Sequence, residues 1–358
     1  MRLKKRYFLR ATLLILCILI EMTAAFVAKH YYSLKIENFS SRVEPEKEGE
    51  VITHSYYITK GMTIDDVLTL LEEDYDIGSR QDFKLHARLM NFNYPEPGYY
   101  TFAATCSNEE VIDRLKYGKQ TPVHITWNNS VFTREQLAGA VTHHLQMDSV
   151  TLLSYLENDE FLSQYNLNKE TSRCLFIPNT YEVLWTITPE QLFARMQREF
   201  NIFWNDERRA KAEKIGLSPV EVAIVASIIE GESRSKTELP IIASLYLNRV
   251  HKGMLLQACP TVKYAVGDFK LRRILNKHLQ VDSPYNTYKY PGLPPGPIRC
   301  PNPQSIDYVL NAPKTDYLFM CANPALDGTH IFSSSYGNHA AVAAQYRHTM
   351  DTIQWDKR

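Results

Sequence analysis

Signatures of metal and nucleotide sites are missing from this sequence of 358 residues. It has no CxxC pair, no HExxH helix, no Cys/His cluster with zinc spacing and no glycine-rich phosphate loop. Basic and acidic residues balance at 40 each, so the formal net charge is zero and gives no electrostatic signature of nucleic-acid binding. We therefore expect no metal, no cofactor and no nucleic-acid partner.

Cysteine is also scarce, with six residues, and Cys17 lies in an apolar N-terminal run. The remaining cysteines are odd in number, so at least one thiol stays unpaired within the monomer. Export from the cytoplasm would permit one or two disulfides, and spacing alone assigns none of them. These cysteines are Cys106, Cys174, Cys259, Cys300 and Cys321.

Apolar residues, by contrast, make up 44% of the chain and aromatic residues 11%, including 22 tyrosines. This composition supports a sizeable core and is not that of a disordered chain. The length suits about two or three compact units. Tyrosine is common in wet clefts that bind sugars, and it also fills ordinary strands, so its abundance favours a sugar site only slightly.

The N-terminus carries the clearest targeting signal. An apolar stretch at residues 11–28 is about long enough to cross a bilayer, and it follows a cationic segment. Cationic flanks stay in the cytoplasm, so we expect a tail at 1–6, a membrane helix at 7–28 and an extracytoplasmic bulk at the cell (inner) membrane. The alternative is a cleaved signal peptide ending near Thr23 and Ala25, which also exports the rest. The flanking cations are Arg2, Lys4, Lys5, Arg6 and Arg10.

Further along, the pattern alternates between strands and capped helices. Residues 29–48 are mostly polar and charged, which predicts a linker. Strand patterns at 51–59, 98–102 and 123–127 are each followed by a helix start, at Thr63, Ser107 and Thr133. Such βα units often form binding modules, and a plain α+β scaffold fits the pattern equally well. A mainly helical stretch at 134–215 then includes a strong helix start at Thr188.

The candidate chemistry lies at an acidic turn, Glu230-Gly231-Glu232. A helix start at Ser218 opens a run that is apolar on every side, which predicts a buried helix ending in these acids. Desolvation and the negative end of the helix dipole both raise the pKa of a carboxyl there, as a general acid requires.

The alternative for the acidic turn is a pair of solvated salt bridges at i,i+4, between Glu230 and Arg234 and between Glu232 and Lys236. Physical reasoning alone leaves both readings open. It also leaves open which of the two glutamates is the acid.

Later segments carry polar and aromatic groups in proline-rich loops, and the series as a whole resembles the endolytic murein transglycosylases, the MltG or YceG-like family. The resemblance covers nearly the whole chain. The matching motifs are at 176–181, 226–233, 247–249, 257 with 260–262, 285–288, 292–296, 330–332 and 338–339.

The resemblance implies an α+β fold with an N-terminal transmembrane helix, a small LysM-like module at 49–121, a connecting region at 122–215 and a catalytic domain at 216–358. It implies that Glu232 is the catalytic acid and Glu230 a supporting acid. Departures are Cys259 and Asn179, where the family usually has Asp, and the missing Glu-Gly before Leu175.

The implied reaction cleaves the β-1,4 bond between N-acetylmuramic acid and N-acetylglucosamine in peptidoglycan and leaves a 1,6-anhydro end. One Glu suffices for this intramolecular attack, whereas a typical glycosidase needs two carboxyls. Gln257, Tyr285, Asn286 and Thr287 are candidate sugar contacts. The implied partners are glycan strands and glycan-polymerising synthases. A hydrolytic muramidase, a non-catalytic glycan-binding scaffold and a degenerate family member remain as alternatives.

Overall fold

The structure is a computed structural model that describes residues 2–35, 37–43, 51–271 and 273–352. Its chain forms two compact units, Met1–Val123 with Glu182–Thr186, and His124–Tyr181 with Ile187–Arg358. The helices are α1 Arg2–Lys35, α2 Ile64–Asp74, α3 Arg80–Leu89, α4 Asn108–Lys116, α5 Arg134–Thr142, α6 Ser149–Leu156, α7 Asp159–Ser163, α8 Pro189–Phe203, α9 Asp206–Lys214, α10 Pro219–Glu232, α11 Leu239–His251, α12 Cys259–Val266, α13 Asn276–Leu279, α14 Pro303–Leu310 and α15 Tyr336–Thr352. The strands are β1 Glu37–Ser41, β2 Thr53–Ile58, β3 Tyr75–Asp76, β4 Gly98–Ala103, β5 Thr105–Ser107, β6 Val123–Thr126, β7 Thr180–Val183, β8 Phe319–Ala322 and β9 His330–Ser333.

Helix α1 contains a stretch, Thr12–Ser33, that is long and apolar enough to cross a membrane, with a mean hydropathy of 2.0. None of this stretch is buried against the rest of the protein. The helix is therefore a candidate membrane anchor, as the sequence predicts, and it extends beyond the predicted end at residue 28.

The predicted linker at 29–48 differs from what the structure shows. Its first residues continue α1, and β1 pairs antiparallel with both β3 and β5. The physical reason is Phe39, whose ring is 1% exposed and lies 5.9 Å from the rings of both Tyr75 and Phe83. Residues 44–48 lie outside the described residues.

The first unit repeats the predicted pattern of strand and capped helix. Strands β2 and β4 pair antiparallel along their whole length, from Thr53 opposite Ala103 to Ile58 opposite Gly98. Thr63 and Ser107 cap α2 and α4 through their side-chain oxygens, as predicted. The likeness to a LysM module remains a prediction.

The second unit is built around α10. Ser218 and Glu221 form a capping box with Pro219 in the first turn, and every residue from 222 to 229 is buried. Helices α11, α12 and α14 pack around α10, while β8 and β9 form a separate antiparallel pair. The predictions of a buried central helix and of an α+β fold are confirmed. The end of this helix positions the acidic turn.

Candidate active site

The two acids at the end of α10 lie in different surroundings. Glu230 Oε1 accepts hydrogen bonds from the Asn302 backbone N–H at 2.8 Å and from the Ser305 hydroxyl at 2.6 Å. Both donors belong to the N-terminal turn of α14, so this carboxyl ties α14 to α10. Burial raises the pKa of Glu230, while these two bonds and the charge of Arg299 oppose the shift.

Glu232 faces the opposite way, into a cleft of about 340 Å³. The Tyr246 hydroxyl donates to Glu232 Oε1 at 2.7 Å. Burial raises the pKa of Glu232 to about 7, against the hydrogen bond from Tyr246 and the charges of His330 and Arg249. Near neutral pH this carboxyl can therefore both give and take a proton, which suits general acid–base chemistry.

Neither salt bridge of the alternative reading forms within the described part of the chain, since no ion pair joins Glu230 to Arg234 or Glu232 to Lys236. Both cations are exposed, whereas both acids are partly buried and turned inward. The alternative of a solvated helix end is therefore wrong for this turn.

Helix α11 supplies the wall beside Glu232. Burial raises the pKa of Tyr246 well above its ordinary value, so its hydroxyl keeps the proton that it donates. One turn along, Arg249 donates from Nε to Leu318 O and from Nη1 to Leu256 O, each at 2.7 Å. The guanidinium thereby joins two loops and adds positive charge to the cleft, and burial lowers its pKa.

Glu238 and His330 form a hydrogen-bonded pair, and His330 lines the cleft. Glu238 Oε1 accepts the backbone N–H of His330 at 2.6 Å, and its Oε2 lies 3.0 Å from His330 Nδ1. Burial alone would raise the pKa of Glu238, but the bonds from His330 and Ser233 hold it below its ordinary value. An ionised carboxylate only accepts, so Nδ1 of His330 carries the proton and the ring is fixed at the edge of the cleft.

The predicted sugar contacts divide into two groups. Gln257 lines the cleft with an exposed side chain and a positive φ of 51°, and its N–H donates to Thr287 O at 3.0 Å. Tyr285, by contrast, is 8% exposed and donates to Glu170 Oε2 at 2.7 Å, away from the cleft lining.

Asn286 and Thr287 are buried and hold the loops together. Asn286 Nδ2 donates to Leu279 O and Val281 O, and Thr287 Oγ1 accepts the Ala258 N–H. Neither residue lines the cleft, so the prediction of direct sugar contacts at these positions differs from the structure. The next residue, Tyr288, lines the cleft instead, with its hydroxyl 3.4 Å from Cys259 Sγ.

Sequence reasoning missed Tyr246 and Glu238 as members of the site. Tyr246 lies three residues before Arg249, so the two share one face of α11, and this spacing was the available signal. Glu238 had no local signal, because its partner His330 is 92 residues away along the chain.

The fold and the cleft together define a site for acid–base chemistry at a single partly buried carboxyl. The YceG-like family matches residues 56–345, so the chain belongs to the YceG-like family, and the resemblance predicted from the motifs is confirmed.

Several relatives carry a name for their activity. An endolytic murein transglycosylase of Bacillus subtilis (strain 168) is 26% identical over 321 residues, which cover 86% of this chain and 88% of that protein. One of the same name from Streptococcus pneumoniae (strain ATCC BAA-255 / R6) is 25% identical over 323 residues, covering 81% of this chain and 57% of that protein. The crystal structure of a YceG-like protein from Listeria monocytogenes matches with a TM-score of 0.52 at 27% identity, covering 81% of this chain and 98% of that chain.

Proposed function

We propose that this chain is an endolytic murein transglycosylase that cuts the bond between N-acetylmuramic acid and N-acetylglucosamine within a glycan strand. The observation that carries the proposal is the Glu232 carboxyl, whose pKa is about 7 in a cleft where it is the sole acid among the described lining residues. The names of the relatives from Bacillus subtilis and Streptococcus pneumoniae support the same activity.

The reaction needs a proton at one moment and a base at the next. Glu232 gives its proton to the glycosidic oxygen as the bond from that oxygen to C1 of the muramic acid breaks. The resulting carboxylate takes the proton of the 6-hydroxyl as O6 attacks C1 and closes the 1,6-anhydro ring. The two proton transfers balance, and neither water nor an enzyme nucleophile is consumed. Tyr246 occupies Oε1, so Oε2 is the oxygen that transfers the proton.

Two basic side chains beside the carboxyl have a defined part in this scheme. Arg249 and His330 each lower the pKa of Glu232, which offsets part of the effect of burial. They also stabilise the carboxylate that forms when the proton leaves. Both are fixed by bonds to neighbouring groups, Arg249 to Leu318 O and His330 to Glu238, so little reorganisation is needed during the reaction.

In the cell, the proposal places the N-terminus of α1 in the cytoplasm and the catalytic domain, residues 216–358, outside the membrane. Anchoring would restrict cleavage to strands that emerge near the membrane and so limit strand length, beside the synthases that polymerise glycan. The cationic residues before the apolar stretch support this orientation. The βα module at 49–121 would bind glycan as a LysM-like unit.

Digestion of purified nascent glycan in ¹⁸O-labelled water tests the reaction. A transglycosylase yields anhydro ends without the label, whereas a hydrolytic muramidase yields reducing ends that carry one ¹⁸O atom. Mass spectrometry of the fragments separates the two. Labelled reducing ends alone would replace the proposal by the muramidase, and the absence of cleavage would leave a glycan-binding scaffold or a degenerate enzyme.

A further inference from the structure

A second set of cavities lies on the other side of the acidic turn from the cleft. Glu232 lines both the cleft and a neighbouring cavity of about 310 Å³, which also touches Gly231. Gly231, Lys263 and Arg299 line both this cavity and a further one of about 200 Å³. The cleft and the two cavities therefore adjoin one another around the acidic turn.

The Pro260 ring packs closely against Gly231, which lines both cavities. A Cβ added at Gly231 would lie 2.5 Å from Pro260 Cβ, so α10 and α12 meet here without room for a side chain. The meeting brings Lys263, one turn along α12 from Pro260, next to the end of α10. The Lys263 side chain therefore lies beside the end of α10, the helix that carries Glu232.

Three cationic side chains line the cavity of about 200 Å³. Among the described residues, no ion pair or hydrogen bond engages the side chains of Lys263, Arg273 or Arg299, although all three line the 200 Å³ cavity. Arg299 Nε is buried without a hydrogen-bond partner. Glu230 and Glu232 line the 310 Å³ cavity, and no acid is among the described residues that line the 200 Å³ cavity. Glu230 Oε1 already accepts two bonds from α14.

Aromatic rings form the opposite side of the same cavity. The Phe132 and Phe269 rings stack with centroids 4.6 Å apart, and the Arg299 guanidinium lies 4.6 Å from the Phe132 centroid. Stacking fixes this guanidinium while its donors stay available. Tyr264 also lines the cavity, and its hydroxyl accepts a hydrogen bond from Arg173 at 2.9 Å, which fixes the position of this ring.

We propose that Lys263, Arg273 and Arg299 form an anion subsite that binds a carboxylate borne on the lactyl substituent of a muramic acid residue, next to the bond that Glu232 cuts. The inference rests on the proposed function and adds a substrate preference to it. Every second sugar of a murein strand carries such a substituent, either as the free lactyl acid or extended by a stem peptide with its own carboxylates. A fixed guanidinium and an ammonium pair strongly with carboxylates.

Binding to the full-length Glu232→Gln protein in detergent tests the subsite without turnover. The probes are nascent glycan strands with intact stem peptides, the same strands after amidase removal of the stems, and a chito-oligosaccharide that bears no carboxylate. Adding Lys263→Gln and Arg273→Gln should weaken binding of a carboxylate-bearing strand about tenfold and leave chito-oligosaccharide binding unchanged. The matched control is Lys214→Gln, an exposed lysine on α9, which should change none of the three.

The outcomes separate the sources of the anion. An effect on intact strands alone assigns the subsite to a stem-peptide carboxylate. An effect on amidase-treated strands alone assigns it to the free lactyl carboxylate, and an effect on both shows that the subsite accepts either. Unchanged binding of both strands, or an equal loss with the chito-oligosaccharide, would overturn the subsite. With Glu232 in place, Lys263→Gln should still give anhydro ends, at a higher KM. Absence of anhydro ends from the unmodified protein would instead reject the proposed function.

Discussion

The two faces at the end of α10 contain the same side chain in different electrostatic settings. Burial raises the pKa of both Glu230 and Glu232. Glu230 meets two donors from the first turn of α14, where a carboxylate is favoured by the exposed N–H groups and the helix dipole. Glu232 meets one fixed hydroxyl and an open cleft. Burial alone therefore does not make a catalytic acid, and the donors around the carboxyl decide its role.

The largest expected effect is on the cleft side. Glu232→Gln removes the proton donor but keeps the shape and the bond from Tyr246, so the rate of glycan cleavage should fall by about 10²–10⁴-fold. Quantifying anhydro ends by mass spectrometry measures the loss. Glu230→Gln, the matched control, should retain far more activity. An equal loss in both variants would remove the distinction between the two faces.

The same substitution at Glu232 should change how stability depends on pH. A folded-state pKa raised to about 7 contributes stability that is full below the unfolded value and is lost as the pH rises through the folded value. The unmodified protein should therefore lose stability between about pH 4.3 and pH 7 at this group, and Glu232→Gln should flatten that slope. Urea unfolding across this range is the measurement, and an unaltered slope would contradict the raised pKa.

On the other face the expected effect is on stability. Glu230→Ala leaves the Asn302 N–H and the Ser305 hydroxyl without their acceptor, which should lower the free energy of unfolding by about 2–3 kcal/mol. Urea unfolding measures it. Glu213→Ala, at an exposed position on α9, is the control and should stay within about 0.5 kcal/mol of the unmodified protein. If Glu230→Ala left the free energy of unfolding unchanged, the position of α14 would not depend on this carboxyl.

The residue between the acids gives a smaller effect. Gly231→Ala places a Cβ 2.5 Å from Pro260 Cβ, so α12 must shift, at a cost of about 1–2 kcal/mol. The control is Gly139→Ala within α5, where a Cβ meets nothing within 4 Å. That change should stabilise the protein by about 0.5–1 kcal/mol, since alanine favours helix. Thermal unfolding of both variants should give shifts of opposite sign, and equal shifts would contradict the close approach.

The smallest predicted effect concerns the pH profile. The Tyr246 hydrogen bond lowers the pKa of Glu232, so Tyr246→Phe should raise it. The decline of kcat/KM on the basic side, which follows loss of the Glu232 proton, should then move to higher pH. Tyr308→Phe, on α14, is the control and should leave the profile in place. A shift to lower pH would mean that the hydroxyl stabilises the protonated acid.

Local signals account for the parts of the fold that the sequence predicted. The capping box at Ser218 and the unbroken apolar run after it define α10, because helix caps and burial on all sides are properties of neighbouring residues. Strand β1 within the expected linker depends on Phe39 reaching Tyr75 and Phe83, which are distant in the chain. No pattern near Phe39 reveals such a contact.

The site shows the same division. The acidic turn is a local motif, whereas Tyr246 and Glu238 reach it through contacts between residues that are 14 and 92 positions apart. The side chains of Asn286 and Thr287 suggest sugar contacts because amides and hydroxyls bind sugars, yet the same groups also form hydrogen bonds with buried backbone groups. Residue type does not distinguish a sugar contact from a structural hydrogen bond. The burial of the side chain, which only the structure gives, does distinguish them.

The titration of the Glu232 carboxyl itself tests the central difference between the two faces. Carbon-13 NMR of protein labelled at the glutamate carboxyls, compared with Glu232→Gln, assigns the resonance. The structure predicts a resonance that titrates near pH 7 and is absent from the variant. A Glu232 resonance that titrates at the ordinary value of about 4.3 would contradict the assignment of this residue as the acid.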